Sequence, residues 1–249
     1  MIESEMDTCF KEISDMFWWI AATFFAFFIK GLCGFANTLV FTSILSFTNS
    51  NRNISPVELL LGFPTNAILA FKERKNIQWR LCVPLAALVI LGNIPGILFL
   101  KNADTTFVKQ IFGVVIILIG IEMLFREFRP KKTTQSNIML ILIGLLSGIL
   151  CGLYGIGALL GAYISRVTED ISSFKANICV AFLIENTFRI VSYSLSGIIT
   201  LGIVKQAFLL YPLMLLGLVL GIFSGRFLNE KKIKVLVIVL LIFSGLLLI

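Results

Sequence analysis

Apolar residues gather in eight long runs along this chain, and short polar connections separate the runs. Runs such as Leu81–Leu100 and Phe107–Phe125 hold about 20 mostly apolar residues, enough to cross a hydrocarbon layer of about 30 Å at 1.5 Å per residue. The pattern predicts an all-α polytopic membrane protein, located in the cell membrane. We expect membrane segments at 16–48, 56–72, 79–100, 106–126, 137–165, 174–198, 204–226 and 233–249.

Two of these segments are too long for one straight crossing. As continuous helices, 16–48 would run about 50 Å and 137–165 about 43 Å. Both also carry glycine-rich stretches near their middle, which are Gly31 to Asn37 in the first and Gly148 to Gly157 in the second. Two half-helices joined at a break fit these segments better than one tilted rod.

Composition excludes a soluble protein. Hydrophobic residues make up 58% of the chain and charged residues 14%, against about 45–50% and about 25% in soluble domains. The net charge of +7 lies in short loops, which indicates membrane topology and not nucleic-acid binding. Histidine is absent and the five cysteines are scattered, so we expect neither a metal site nor a cofactor.

Loop charge orients the segments. Basic loops follow the second, fourth and seventh segments and should be cytoplasmic, whereas the acidic start should be external and lacks the charge of a cleaved signal peptide. Counting crossings then makes each overlong segment a re-entrant hairpin. The fold becomes two inverted repeats, each with a broken hairpin and three transmembrane helices, at 1–128 and 137–249, joined by a cytoplasmic linker at 129–136. Eight plain crossings with a parallel repeat is the alternative.

Weak internal similarity supports two related halves. Asn66 and Asn186 are 120 positions apart, and the pair Gly92-x-x-x-Gly96 recurs 125 positions later as Gly217-x-x-x-Gly221. Small residues four apart let transmembrane helices approach closely, so we interpret these glycine pairs as packing positions.

The second half carries a longer motif. It reads Gly155-Ile-Gly157-Ala-Leu-Leu, then Lys175, then Asn186-x-x-Arg189-x-x-x-Tyr193-x-x-x-Gly197. With it the chain resembles the sulfite exporter family (TauE/SafE, also called the TSUP family) over roughly residues 16–249. In the first copy, Ala36-Asn37-Thr38 stands where family members usually carry glycines. The resemblance implies export or uptake of small sulfur-containing anions such as sulfite or organosulfonates.

The helix breaks predict an anion site independently of that resemblance. A break leaves backbone N–H groups without intrahelical partners, and these groups with the helix dipole favour a negative charge. Inverted repeats would place two such ends near the midplane. Glycines that only permit close packing are the alternative. The predicted substrate-binding residues are Gly34, Phe35, Ala36, Asn37, Thr38, Asn66, Gly155, Ile156, Gly157, Ala158, Asn186 and Arg189.

Charged residues inside the segments refine this prediction. Arg189 lies deep in the sixth segment, where a charge costs at least about 2.5–3.5 kcal/mol. Glu185, one turn earlier, either neutralises it or takes up a proton. Lys30 is a charge partner or a cap on terminal carbonyls. Asn66 and Asn186 either face a cavity or bond between helices. Lys175 is expected at the cytoplasmic end of its helix, and Glu58 and Glu122 at segment ends, facing headgroups or water.

These observations favour a transporter that exports a small sulfur-containing anion, bound near the midplane by the half-helix N-termini and Arg189. An anion channel is the nearest alternative. The sequence has no histidine and no nucleophile elbow, which argues against an intramembrane enzyme. A non-transporting assembly protein would not need Arg189 beside a repeated break. The expected partners are the anionic substrate and the lipid bilayer, without nucleic acid, and a homodimer stays open.

Overall fold

The computed structural model describes residues 2–45, 51–102, 137–154, 157–168 and 170–248, with short pieces between 110 and 125. These residues are helical or lie in turns and connections, and none of them lies in a strand. A 3₁₀ turn covers Arg74–Asn76. The α-helices are α1 (Ile2–Cys33), α2 (Asn37–Leu45), α3 (Asn51–Lys72), α4 (Trp79–Asn102), α5 (Asn137–Tyr154), α6 (Ala158–Val167), α7 (Ile171–Leu195), α8 (Leu201–Ser224) and α9 (Glu230–Leu248).

Long apolar helices confirm the prediction of an all-α polytopic membrane protein. Within the described residues, five helices are long and apolar enough to cross a membrane. Most predicted segment ends lie within a few residues of the observed ends, but α1 and α3 begin earlier, because a helix continues through polar residues that an apolar run omits. The linker 129–136 and much of segment 106–126 lie outside the described residues.

The five stretches that are long and apolar enough to cross a membrane are Met16–Cys33, Asn53–Lys72, Trp79–Gly96, Ile171–Leu195 and Leu201–Ser224.

Both overlong segments are broken where the glycines predicted it. α1 ends at Cys33 and α2 begins at Asn37, after Gly34 and Ala36 take φ values of +88° and +71°. The break also reverses the chain. The rings of Trp19 and Phe41 are 5.7 Å apart, whereas one continuous helix would separate these residues by about 33 Å. α2 therefore returns along α1 as a hairpin, and α5 and α6 are separated by the second break.

Glycine pairs join helices from different halves, which confirms their interpretation as packing positions. Gly92 of α4 lies against Gly148 of α5, and Gly221 of α8 lies against Gly31 of α1. At each of these glycines a Cβ atom would meet backbone of the neighbouring helix within 3 Å. The helices in each pair run in the same direction.

The helices that carry the repeat-related asparagines pack against each other in opposite directions. At one end the hydroxyls of Ser55 on α3 and Tyr193 on α7 are 3.4 Å apart. At the other end the amide of Asn177 on α7 donates to the carbonyl of Asn76, just after α3, at 3.4 Å. Inverted repeats require corresponding helices to be antiparallel, and parallel repeats require the opposite. The geometry therefore favours inverted repeats. The inversion and the limits of the two halves both stay predictions.

The start of α7 is set by Asp170, whose carboxylate accepts hydrogen bonds from the backbone N–H and the hydroxyl of Ser173 at 2.7 and 2.8 Å. Such a cap satisfies a donor that the first helical turn leaves unpaired. These bonds lower the pKa of the Asp170 carboxyl. The cap therefore stabilises the fold at neutral pH, and that contribution is lost as the pH falls through the lowered pKa.

Labelling tests the predicted topology. In a cysteine-free variant, single cysteines placed at Ser4 and Ser136 should react with an impermeant thiol reagent from opposite sides of the membrane. The expectation follows from the acidic start and from the basic loop at 126–132. Reaction of both positions from the same side would contradict the inverted topology.

Candidate functional site

Charged side chains meet in the interior beside the first helix break. In the part of the chain that the structure describes, the buried charged residues are Lys30, Glu58, Glu185 and Arg189, each at most 3% exposed. Two are cationic and two are anionic, so their charges sum to zero. Buried charges are stabilised by ion pairing and hydrogen bonding. Arg189 and Glu185 form an ion pair, whereas Lys30 and Glu58 are joined through the hydrogen-bonded amide of Asn37.

Around the first break, one amide bridges an acid and a base. The Lys30 ammonium, in the last turn of α1, donates to Asn37 Oδ1 at 3.1 Å. Asn37 opens α2, and its Nδ2 donates to Glu58 Oε1 on α3. The Thr38 hydroxyl donates to the same oxygen at 2.8 Å. The break thus brings α1, α2 and α3 to a single carboxylate.

On α7, Arg189 is held by several partners. Its Nη1 lies 3.5 Å from Glu185 Oε1, and its Nη2 donates to the Ser55 hydroxyl at 3.1 Å. Asn93 of α4 donates to the same Glu185 oxygen at 2.8 Å, and the guanidinium lies 5.3 Å from the centre of the Tyr193 ring. Arg189 Nε has no hydrogen-bond partner among the described residues. The contact by which Glu185 neutralises Arg189 is therefore present. The Nε–H group of Arg189 is a buried donor without a partner among the described residues.

Gly62 of α3 lies between these groups. A Cβ atom at this position would be 3.2 Å from Glu58 Oε1, 3.4 Å from Asn37 Nδ2 and 3.8 Å from Asn186 Nδ2. Polar atoms from α2, α3 and α7 therefore lie close to the backbone at Gly62, where no side chain fills the space. We refer to Lys30, Asn37, Thr38, Ser55, Glu58, Gly62, Asn93, Glu185, Asn186, Arg189 and Tyr193 as the polar cluster.

Some predicted site residues lie elsewhere. The Phe35 side chain is buried against Phe174, with ring centres 5.6 Å apart, and belongs to the apolar core. Gly157 caps the N-terminus of α6, and a Cβ there would overlap the Phe182 ring. Ala158 begins α6. Gly155 and Ile156 lie outside the described residues.

Two further predicted positions lie in or beside the polar cluster. Asn186 has its side-chain nitrogen near Gly62, as described above. Asn66 is 1% exposed, and its Oδ1 has no hydrogen-bond partner in the described part of the molecule. The alternatives of a cavity-facing amide and an interhelical hydrogen bond both stay open for Asn66.

Lys175 lies against the first break. Its ammonium donates to the carbonyl of Gly31 at 3.5 Å, so it satisfies a terminal carbonyl of α1. A Cβ at Gly34 would lie 2.6 Å from Lys175 Cγ. Lys175 belongs to the first turns of α7 as expected, but it contacts the hairpin of the other half.

The expectation that Glu58 faces headgroups or water is wrong. α3 begins at Asn51, five residues before the predicted segment, so Glu58 lies two turns inside the helix and is 3% exposed. A signal was present in the sequence. Ser55, Glu58, Gly62 and Asn66 follow the three- and four-residue spacing of one helix face, which is how polar residues reach a shared interior. Glu122 lies outside the described residues.

The arrangement is suited to a small anion. Two helices, α2 and α6, begin at interior breaks, where their first N–H groups and helix dipoles favour negative charge. Buried cations lie on α1 and α7 within the polar cluster. Among the described residues there is no group of three or more His, Cys, Asp or Glu residues placed to hold a metal ion.

Replacing Gly62 with alanine tests the polar cluster directly. The added methyl group would crowd the Glu58–Asn37 hydrogen bond, so we expect the affinity for a small anion bound there to fall about tenfold, as loss of about 1.4 kcal/mol would produce. Gly202→Ala is the matched control, because the nearest atom to its Cβ would be 3.8 Å away. Equal affinity in both variants would place the anion away from Gly62.

Comparison with known proteins identifies one family. The family model described as Sulfite exporter TauE/SafE matches residues 19–248, which is nearly the whole chain. No curated protein and no solved structure matches significantly.

Proposed function

We propose that this chain, which belongs to the sulfite exporter TauE/SafE family, carries a small sulfur-containing anion such as sulfite or a short sulfonate out of the cell. The family consists of membrane transporters, and the long apolar helices make the chain a multi-pass protein of the cell membrane. The proposal concerns the anion, its direction and its binding residues.

The observation that carries the proposal is the buried guanidinium of Arg189. Arg189 shares its donors between Glu185 and Ser55, yet within the described residues Nε has no partner. A guanidinium presents a planar fork that suits the oxygens of sulfite or a sulfonate, and a charge-assisted hydrogen bond is about twice as strong as a neutral one. An oxyanion that contacts Arg189 would satisfy a donor that is costly to leave unpaired.

The helix breaks supply the second half of the proposed site. The first N–H groups of α2 and α6 would donate to the anion's remaining oxygens, with Asn37 and Asn186 beside it. Export follows from the interior-negative membrane potential, which favours outward movement of a negative charge by about 2.3 kcal/mol per 100 mV.

A flux screen in proteoliposomes tests this function. Purified protein should catalyse uptake of one or more of sulfite, thiosulfate, sulfate and methanesulfonate above the rate of protein-free liposomes. Saturable counterflow, in which unlabelled anion inside accelerates entry of labelled anion, is expected of a carrier. Flux without counterflow would favour the anion channel. A protein that moves none of the four anions would refute the proposed function.

A further inference from the structure

With its four buried charged residues all ionised, the polar cluster carries no net charge before an anion arrives. Lys30 and Arg189 supply two positive charges, and Glu58 and Glu185 supply two negative ones. A bound anion would leave a net negative charge among groups that are nearly inaccessible to water. An unpaired charge in such a place costs several kcal/mol or more, so anion binding favours the arrival of one positive charge.

Glu58 and Glu185 differ in how their charges are balanced. Glu185 lies 3.5 Å from the Arg189 guanidinium and forms an ion pair with it. The hydrogen bonds to Glu58 come from an amide and a hydroxyl, which are neutral donors, and both go to Oε1. Lys30, the cation on the adjoining hairpin, is separated from Glu58 by the Asn37 amide. Of the two buried carboxylates, Glu58 is thus the one that loses least when it becomes neutral.

We infer that Glu58 takes up a proton when the anion binds, so that one proton travels with each transported anion; this inference rests on the proposed function. The carboxylate and a proton from water form the neutral carboxylic acid on the loading side, and the acid returns the proton to water on the release side. A neutral Glu58 removes the repulsion between its carboxylate and the anion.

The surroundings of Glu58 are compatible with this role. The charged groups that act on it are Lys30 from α1 and Glu185 and Arg189 from α7. The helices around it also contribute a few thiol and phenol groups, and the Tyr211 hydroxyl of α8 donates to the Leu60 carbonyl at 3.1 Å. These groups are the thiols of Cys151 and Cys179 and the phenols of Tyr193 and Tyr211.

Proton coupling does not prevent export. A dianion such as sulfite that leaves with one proton still moves one net negative charge outward, which the membrane potential favours, whereas a monovalent sulfonate that leaves with one proton moves no net charge. An opposing pH gradient, however, slows export or drives the anion inward. The direction of net transport then depends on the pH difference as well as on the anion gradient.

The test uses the full-length protein in liposomes with labelled sulfite at equal concentration on both sides. With potassium and valinomycin holding the membrane potential at zero and a pH lower by one unit outside, wild-type protein should accumulate the sulfite dianion toward a tenfold ratio, the limit for one coupled proton. Protein-free liposomes correct for passive movement of sulfite. Glu58→Gln should give a ratio near one, and its sulfite exchange, measured in parallel, should be slower than that of wild type but faster than that of protein-free liposomes. Glu73→Gln, a carboxylate change in the loop after α3, is the matched control and should accumulate like wild type.

Two results would overturn the inference while leaving the proposed function intact. These are normal counterflow in wild type without any response to the pH gradient, and accumulation by Glu58→Gln equal to that of wild type. Glu58→Asp retains a carboxylate and should restore accumulation, which separates loss of coupling from loss of folding. Absence of sulfite counterflow in wild-type protein would overturn sulfite transport and proton coupling together.

Discussion

Replacing both Glu185 and Arg189 with glutamine is expected to give a folded protein that transports no anion. The two side chains form a buried ion pair at 3.5 Å, and both are 1% exposed. Removing only Arg189 leaves a buried carboxylate without its cation, which should lower stability by about 3–5 kcal/mol. Removing both charges takes away the pair with its desolvation cost, so the double variant should melt near the wild-type temperature in detergent.

Transport separates the two roles of Arg189. If Arg189 only neutralises Glu185, the double variant should be active as well as stable. If it binds the anion, flux should fall at least about a hundredfold, because a buried charged hydrogen bond of about 3 kcal/mol is lost. Arg189→Lys should also be impaired, since an ammonium keeps the charge but loses the planar fork and the contact with Ser55. A fully active double variant would return Arg189 to a structural role.

Leucine at the helix breaks is expected to abolish transport. At Gly34 the backbone has a φ of +88°, which costs an ordinary residue about 1–2 kcal/mol, and the new side chain would meet Lys175. At Gly157 it would meet the Phe182 ring. Both glycines lie at the breaks just before α2 and α6, where we propose that the anion binds, so a bulky side chain there should hinder its approach.

Controls distinguish blocked access from damaged packing. Gly34→Ala adopts the same strained backbone and mainly displaces the flexible Lys175 side chain, so it should retain partial flux, measured beside detergent melting. Combining Gly157→Leu with Phe182→Ala relieves the overlap with the ring but keeps the break covered, so this double variant should fold yet stay inactive. Recovery of flux in the double variant would show that Gly157 is only a packing position.

Most of the fold was predictable because it depends on short stretches of sequence. Apolar runs of fixed length predict membrane helices, and glycine clusters inside 16–48 and 137–165 predict their breaks. The observed ends of α5 to α9 lie close to the predicted ones for this reason.

The polar cluster was only partly predictable because its members come from distant parts of the chain. Arg189 and Glu185 were found because they are charges one turn apart inside an apolar helix. Asn93 is uncharged and belongs to no motif in the sequence. Only the packing of α4 against α7 brings its side chain to Glu185. Glu58 was predicted to lie at a segment end because α3 begins with polar residues, which the apolar run at 56–72 does not include.

The glycine interfaces have a consequence for the order of synthesis. Gly31 of α1 packs against Gly221 of α8, which is translated about 190 residues later. At about 5–20 residues per second, the first hairpin waits roughly 10–40 s in the membrane before its partner helix is made. During this interval its glycine face and the buried charge of Lys30 depend on lipid, the insertion machinery or helices of the same half. The packing of α1 is therefore complete only after α8 has been made.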